Sequence, residues 1–424
     1  MTAVGDGAVS GSEHPPAEPP KPDQSVSGLR RFVLPAAEYG AWVLAFPTGP
    51  LVARSLGARA RGELVVITLV QFFTYVVPAV GVAVTVKRRV ALGSNPSIVI
   101  TGIRVAMPWV LGWITVLTLA GSMLPLSPNL QTGLLATAAA TPLLVWSTII
   151  HGALVGAGRI YSLALVRIIP LAVFAATVSL LFVTGSLTFG WMVFLNLLPL
   201  SGDIAFGHVF VGHWRRQAEP PPLSHEDRRF GYASLGAQVS ESTLMRGDSI
   251  MATVLMSARD LGIYSVAANL AQFVNAGCYA VGVTHFRRLA AAPADESLAS
   301  ATRKVAREAA TLVVLIGSAV AAVGWYAIPL VYGGEYRPAY LFFLYLLPGV
   351  PFLSYAVVVW NTLVAHGHPG TVVRAQVAST IAAVVLAAGL FLLVGPDAVP
   401  IAYSLAMVVL AGLLSRSIKR LTSG

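Results

Sequence analysis

The chain has 424 residues, 56% of them hydrophobic and only 11% charged, with a formal net charge of +10 and a mean hydropathy of +0.75. A soluble domain carries roughly 25% charged residues, so these values exclude a soluble globular protein and imply a polytopic membrane protein. The basic residues are spread over short loops, which fits orientation in a membrane and excludes a nucleic-acid face, and the single Cys278 excludes an intrachain disulfide framework and a cysteine-built metal cluster.

Residues 1–29 include PPAEPPKPDQSVSG, which has no apolar periodicity. They read as a disordered cytoplasmic tail without the apolar core or cleavage site of a signal peptide. A spanning helix needs about 20 mostly apolar residues. Twelve segments qualify: 33–53, 64–86, 105–125, 130–156, 160–184, 188–211, 232–257, 261–285, 310–332, 338–365, 370–394 and 398–415. The expected fold is all-α, with six spans in an N-terminal lobe (30–211), a linker at 212–231 and six spans in a C-terminal lobe (232–424).

Alternate loops carry the positive charge, at Arg30/Arg31, Lys87/Arg88/Arg89, Arg159, Arg215/Arg216/Arg228/Arg229, Arg287/Arg288/Arg303/Lys304/Arg307, Arg374 and Arg416/Lys419/Arg420. The loops between, such as SMLPLSPN, VTGSLTFG and VGPDAVP, are nearly free of it. By the positive-inside rule both termini are cytoplasmic in a multi-pass plasma-membrane protein. The first outer loop, with Arg54, Arg59 and Arg61, breaks the rule, and a place for Arg59 and Arg61 at the outer mouth of a cavity would explain it. The stretch FRRLAAAPADESLASATRKVAREA reads either as an amphipathic helix at the membrane surface or as a plain charged loop.

The halves echo each other. ARARGELVVITLVQFF (58–73) aligns with ARDLGIYSVAANLAQF (258–273), placing Arg59 over Arg259, Gly62 over Gly262 and Phe73 over Phe273; ALVGAGR (153–159) aligns with TLVAHGH (362–368). Six spans per half put both halves in one orientation, as a parallel repeat about an axis along the membrane normal, with a central cavity between the lobes.

Four passages carry a family likeness: LVARSLGARARGELVVITLVQ, RGDSIMATVLMSARDLGIYSVAANLAQFV, IPLVYGGEYRPAYLFFLYLLP and LVAHGHPGTVV. In order and spacing they resemble motifs of the multidrug/oligosaccharidyl-lipid/polysaccharide exporter superfamily, and most of all its Wzx-like oligosaccharide and polysaccharide flippases. The resemblance implies alternating access and a lipid-linked saccharide carried from the cytoplasmic to the outer leaflet. Membrane lipid and the polymerase and glycosyltransferases of the same pathway would be its partners.

Charges at membrane depth cost at least about 2.5 kcal/mol each and therefore face partners or water. Within ESTLMRGDSIMATVLMS, Glu241 and Asp248 are seven apart and share a helix face with Gln238, while Arg246 points elsewhere. These residues read either as cavity groups or, for Arg246 and Asp248, as a structural ion pair. RGD in an apolar span is not an exposed adhesion loop. For an anionic, sugar-bearing lipid a cavity should offer Arg for phosphate and amides for sugar. Arg54, Arg167 and Arg246 suit the first role; Gln71, Asn196, Gln238, Asn269, Gln272, Asn275, Asn361 and Gln376 suit the second. Glu38, Asp203 and Asp248 are expected as ion-coupling or structural charges, and His151 and His208 as proton sites or satisfied polar contacts.

An acidic cavity would instead suit a cation-coupled drug antiporter, and a non-transporting scaffold of a polysaccharide-assembly complex is a third reading. No Asp-x-Asp, Walker or Gly-rich phosphate loop is present, so an enzyme, a cofactor and a metal are not expected.

Overall fold

The computed structural model describes Gly40 and residues 44–95, 97–199, 202–204, 207, 222–290 and 296–422. The described chain is helical throughout. The N-terminal lobe holds α1 (Thr48–Val76), α2 (Val82–Ala91), α3 (Ile98–Met123), α4 (Pro128–Gly156), α5 (Ile160–Val183) and α6 (Phe189–Leu195). The C-terminal lobe holds α7 (His225–Met245), α8 (Gly247–Leu255), α9 (Ala258–Ala290), α10 (Glu296–Tyr332), α11 (Ala339–Leu346), α12 (Gly349–Ala365), α13 (Pro369–Val394) and α14 (Ala398–Thr422). Ten of the twelve spans expected from hydropathy coincide with helix; the first (33–53) and sixth (188–211) lie only partly in the described residues and are mostly helical there. Several are broken: the second span between α1 and α2, the seventh between α7 and α8, and the tenth by a 51° bend between α11 and α12.

Local chemistry accounts for the ends. Ser127 caps α4 by accepting from the Leu130 N–H, with Pro128 in the first turn. Ser224 and Asp227 form a capping box at the start of α7. Pro108, Pro142, Pro170 and Pro329 lie inside helices, as membrane helices tolerate.

The packing is that of membrane helices. α13 buries small and polar residues, Ala375, Gln376, Ser379, Ala383 and Ala387, and exposes Ile381, Val384, Val385, Leu392 and Leu393. Small residues let helices approach closely, and large apolar ones face lipid.

The lobes meet at two places. Toward one end of the spans α1 crosses α9, where a Cβ on Gly62 would run into the Ala258 carbonyl and one on Gly262 into the Ala58 carbonyl. Ala58/Ala258 and Gly62/Gly262 are the residues the repeat alignment pairs, so the pseudo-two-fold axis passes through this crossing. This is termed the Gly57 end. At the other, basic end α2 lies on α7: a Cβ on Gly81 would strike the Gly231 carbonyl, Thr85 donates to the Asp227 carbonyl at 3.2 Å, and Arg89 lies 3.7 Å from the Asp227 carboxylate.

Two expectations change. Arg54, Arg59 and Arg61 do not form a loop. The chain reverses at Gly57 alone (φ 72°, ψ 170°), a conformation open to glycine, so Arg54 ends one helix and Arg59 and Arg61 begin the next. The basic stretch after Phe286 is no separate surface helix: α9 runs on to Ala290, and Arg303, Lys304 and Arg307 lie in the first turns of α10, continuous with the ninth span. The 212–231 stretch is likewise partly helical, since α7 starts at His225.

Candidate functional site

Between the two lobe contacts lies a cavity of about 510 Å³. The N-terminal lobe lines it with Thr48, Gly49, Arg61, Thr68, Gln71, Phe72 and Tyr75 of α1, Arg167 and Phe174 of α5, and Met192, Asn196 and Pro199 in and after α6. The C-terminal lobe adds Arg246, Ser249, Ser265, Asn269 and Gln272. From Arg61 to Tyr75 is fourteen residues of helix, about 21 Å at 1.5 Å per residue. The lining therefore holds three guanidiniums and four amides, and no Asp or Glu among the described lining residues.

Arg246 owes its place to a break. Its backbone (φ −115°, ψ 9°) is not helical and separates α7 from α8. Its guanidinium lies 5.1 Å from the centre of the Phe72 ring, a cation–π contact across the lobes, and donates to Gln272 Oε1 at 3.4 Å. The same break undoes the stripe expected for Gln238, Glu241 and Asp248, because seven-residue spacing aligns side chains only on one continuous helix. Gln238 is half-buried and Glu241 exposed on α7, and neither lines the cavity. Asp248 is buried, accepting from the Tyr264 hydroxyl at 2.9 Å and the Ser249 hydroxyl at 3.3 Å.

Arg54 also lies outside the cavity: it is exposed and donates to the Leu330 carbonyl of α10. Asp203 is buried in the N-terminal lobe against His151, 3.2 Å from its Nδ1, and accepts from Ser147 at 3.1 Å. Of the amides, Gln71, Asn196, Asn269 and Gln272 line the cavity. Asn275 is bonded to Ser354 and Gln376 to Ser240 elsewhere in the C-terminal lobe. Glu38 and His208 lie outside the described residues.

Arg61, expected at the outer mouth of a cavity but not among its substrate-binding residues, is part of the lining. It is buried and donates from Nε to Ser265 Oγ at 2.8 Å and from Nη1 to the Gly49 carbonyl at 2.6 Å. The signal was in the repeat: Arg61 directly precedes the crossing Gly62, where the other half has Leu261 before Gly262. Beside it, in the link between α10 and α11, burial pushes the Tyr336 phenol up to about 12 against the pull of the Arg61 guanidinium. The Tyr336 hydroxyl stays a donor, to the Ala53 carbonyl at 3.3 Å.

Another hollow, of about 730 Å³, runs along Arg303, Lys304, Arg307 and Glu308. Its described lining residues all lie on α10, and it is a surface groove. Among the described residues no cluster of His, Cys, Asp or Glu is arranged to hold a metal ion.

Neither protein-family models nor curated proteins match the sequence. Solved structures match the fold. The lipid II flippase MurJ in an inward closed conformation superposes with a TM-score of 0.65 at 12% identity, over 92% of this chain and 87% of that one. A multidrug resistance MATE family transporter of the MOP superfamily, inward-facing, gives 0.63 at 16% identity, over 93% and 99%. The MATE multidrug transporter DinF-BH gives 0.63 at 11% identity, over 93% and 96%. The chain thus has the twelve-helix, two-lobe fold that a lipid flippase and multidrug transporters share.

Proposed function

We propose that the chain is a transporter of the multidrug/oligosaccharidyl-lipid/polysaccharide superfamily that moves a lipid-linked oligosaccharide or polysaccharide precursor between leaflets by alternating access. The observation that carries this reading is the cavity lining: Arg61, Arg167 and Arg246 with Gln71, Asn196, Asn269 and Gln272, and no carboxylate among the described lining residues. Guanidinium forks match phosphate oxygens two at a time, and amides hydrogen-bond sugar hydroxyls. The cavity is large enough for a polar head group, while a lipid tail stays in the bilayer. The functional units are the lobes 30–211 and 232–424, joined through 212–231. The basic end faces the cytoplasm of a cell whose plasma membrane holds the protein, so the Gly57 end faces outward. The polymerase and glycosyltransferases of the same pathway are the expected partners.

A cationic drug is the rival cargo, given the equal likeness to MATE transporters. Phe72, Tyr75 and Phe174 would stack with it, but three guanidiniums in a low-dielectric cavity repel it.

The test is a deletion strain. Its extracted lipids should accumulate one lipid-linked saccharide in the cytoplasmic leaflet, cleared by the wild-type gene. No accumulation, together with new sensitivity to cationic compounds, would transfer the cavity to the drug-antiporter reading.

A further inference from the structure

Arg61 touches both lobes and the cavity at once. Its own lobe offers the Gly49 carbonyl, at 2.6 Å from Nη1. The other lobe offers Ser265 Oγ, at 2.8 Å from Nε, and the Tyr332 and Tyr336 rings, whose centres lie 5.6 and 5.8 Å from the guanidinium carbon. Ser265 donates in turn to the Gly262 carbonyl at 2.7 Å, at the glycine of the lobe crossing. None of these partners carries a formal charge. Arg61 is only 5% exposed and has no ion pair among the described residues, and a buried charge without a counter-ion is unfavourable. These bonds use two of the five N–H groups a guanidinium has.

An anion that reaches this end of the cavity offers Arg61 what its present partners lack, a charge-assisted bidentate contact. To accept it, the guanidinium must turn toward the cavity and away from Ser265 and the tyrosines. Those contacts are side-chain bonds across the Gly57 end; without them the crossing keeps the packing of Gly62 and Gly262 and the bonds from Arg54 to the Leu330 carbonyl and from Tyr336 to the Ala53 carbonyl, but loses its only buried guanidinium tie among the described residues. A ligand shifts a conformational equilibrium by its differential affinity for the two states, and the differential here is the anion's contact to a freed Arg61. The geometry points to Arg61 as an anion subsite whose occupation unlatches the lobes at the Gly57 end, so that the loaded transporter opens there and the empty one stays shut. The inference rests on the anionic cargo proposed above. It also gives a reason for the asymmetry of the repeat, which has Leu261 at the equivalent position.

The experiment uses the full chain in lipid nanodiscs with Cys278→Ala, and spin labels at Arg59→Cys and Arg259→Cys. These positions are exposed, repeat-equivalent and flank the crossing. Inorganic pyrophosphate is the probe, and its binding is followed by calorimetry on the same samples. With Arg61 intact, pyrophosphate should bring up a longer label-to-label distance. Arg61→Gln should lose that shift completely while still binding the probe through Arg167 and Arg246. Ser265→Ala, which keeps Arg61 but removes a latch partner, should show the longer distance before any probe is added and guards against an Arg61 variant that fails to fold. Pyrophosphate that binds without moving the labels, or that moves them equally in Arg61→Gln, overturns the latch and leaves the anion cavity standing. No binding heat with the wild-type side chains overturns the anion cavity and the latch together.

Discussion

The two contacts between the lobes are built differently. At the Gly57 end, backbone packs on backbone: Gly62 against Ala258 and Gly262 against Ala58, reciprocal and repeat-related. At the basic end, α2 meets α7 through Gly81 and Gly231, and the repeat would pair Gly81 with Val281 instead. That contact is polar and partly solvated. Arg89 and Asp227 lie 3.7 Å apart, with the Arg89 side chain 36% exposed, and Arg88 stacks on Phe230 at 4.6 Å. The chain before it contains Val80 at φ 48°, a branched residue in a left-handed conformation that costs roughly 1–2 kcal/mol. A close glycine crossing on the pseudo-two-fold axis makes a firm closure. A strained joint beside an exposed ion pair makes a weak one. The lobes should therefore separate more readily at the basic end, while the Gly57 end needs a specific trigger.

The largest effect expected is from Gly62→Val. Its side chain would meet the Ala258 carbonyl, and the lobes cannot close at the Gly57 end without moving backbone, a cost of at least about 1–3 kcal/mol for overpacking. Export should fall more than tenfold at matched protein level, and the spin-label distance described above should be long with or without probe. A variant with wild-type export would refute the importance of the crossing.

Next come the cavity cations. Arg246→Gln and Arg167→Gln each remove a charged hydrogen-bond donor worth about 1.5–3 kcal/mol, roughly ten- to a hundredfold in substrate affinity. Arg374→Gln, exposed on α13 and outside the cavity, should leave export unchanged. Equal export by all three variants would remove the cavity assignment.

Smaller effects are expected at the basic end. Arg89→Gln leaves the α7 capping box intact and deletes the partner of Asp227, in a partly exposed pair worth about 0–1 kcal/mol. It should raise reagent access to the cavity from the basic side severalfold at most, and less at high salt. Val80→Gly relieves a left-handed conformation costing roughly 1–2 kcal/mol but empties the place of a buried side chain, so the two effects should nearly cancel; a melting temperature far from that of the wild type would show that one of them dominates.

The spans were legible because about 20 apolar residues announce a membrane helix whatever surrounds them. The repeat was legible because one glycine pair with equal spacing survived in both halves. What hydropathy hides is where a span breaks. Arg246 and Gly57 interrupt helices without a proline, and each break decides which side chains enter the cavity. Treating 232–257 as one helix put Asp248 on a face with Glu241, whereas the structure buries it against Tyr264 and turns Arg246 inward. Hydropathy puts Arg61 in an outer loop, and its breach of the charge rule points only to the mouth of a cavity. Its burial depends on Ser265, Tyr332 and Tyr336, more than 200 residues away, which no local pattern records.

The central claim is that the cavity selects an anionic lipid head group. The most direct measurement is translocation in proteoliposomes of a fluorescent polyprenyl pyrophosphate saccharide beside the same saccharide on a neutral lipid anchor. Selective movement of the pyrophosphate-linked lipid, reduced at least about tenfold by combining Arg167→Gln with Arg246→Gln, is the predicted result. Equal movement of both lipids, or full activity in the double variant, would contradict it.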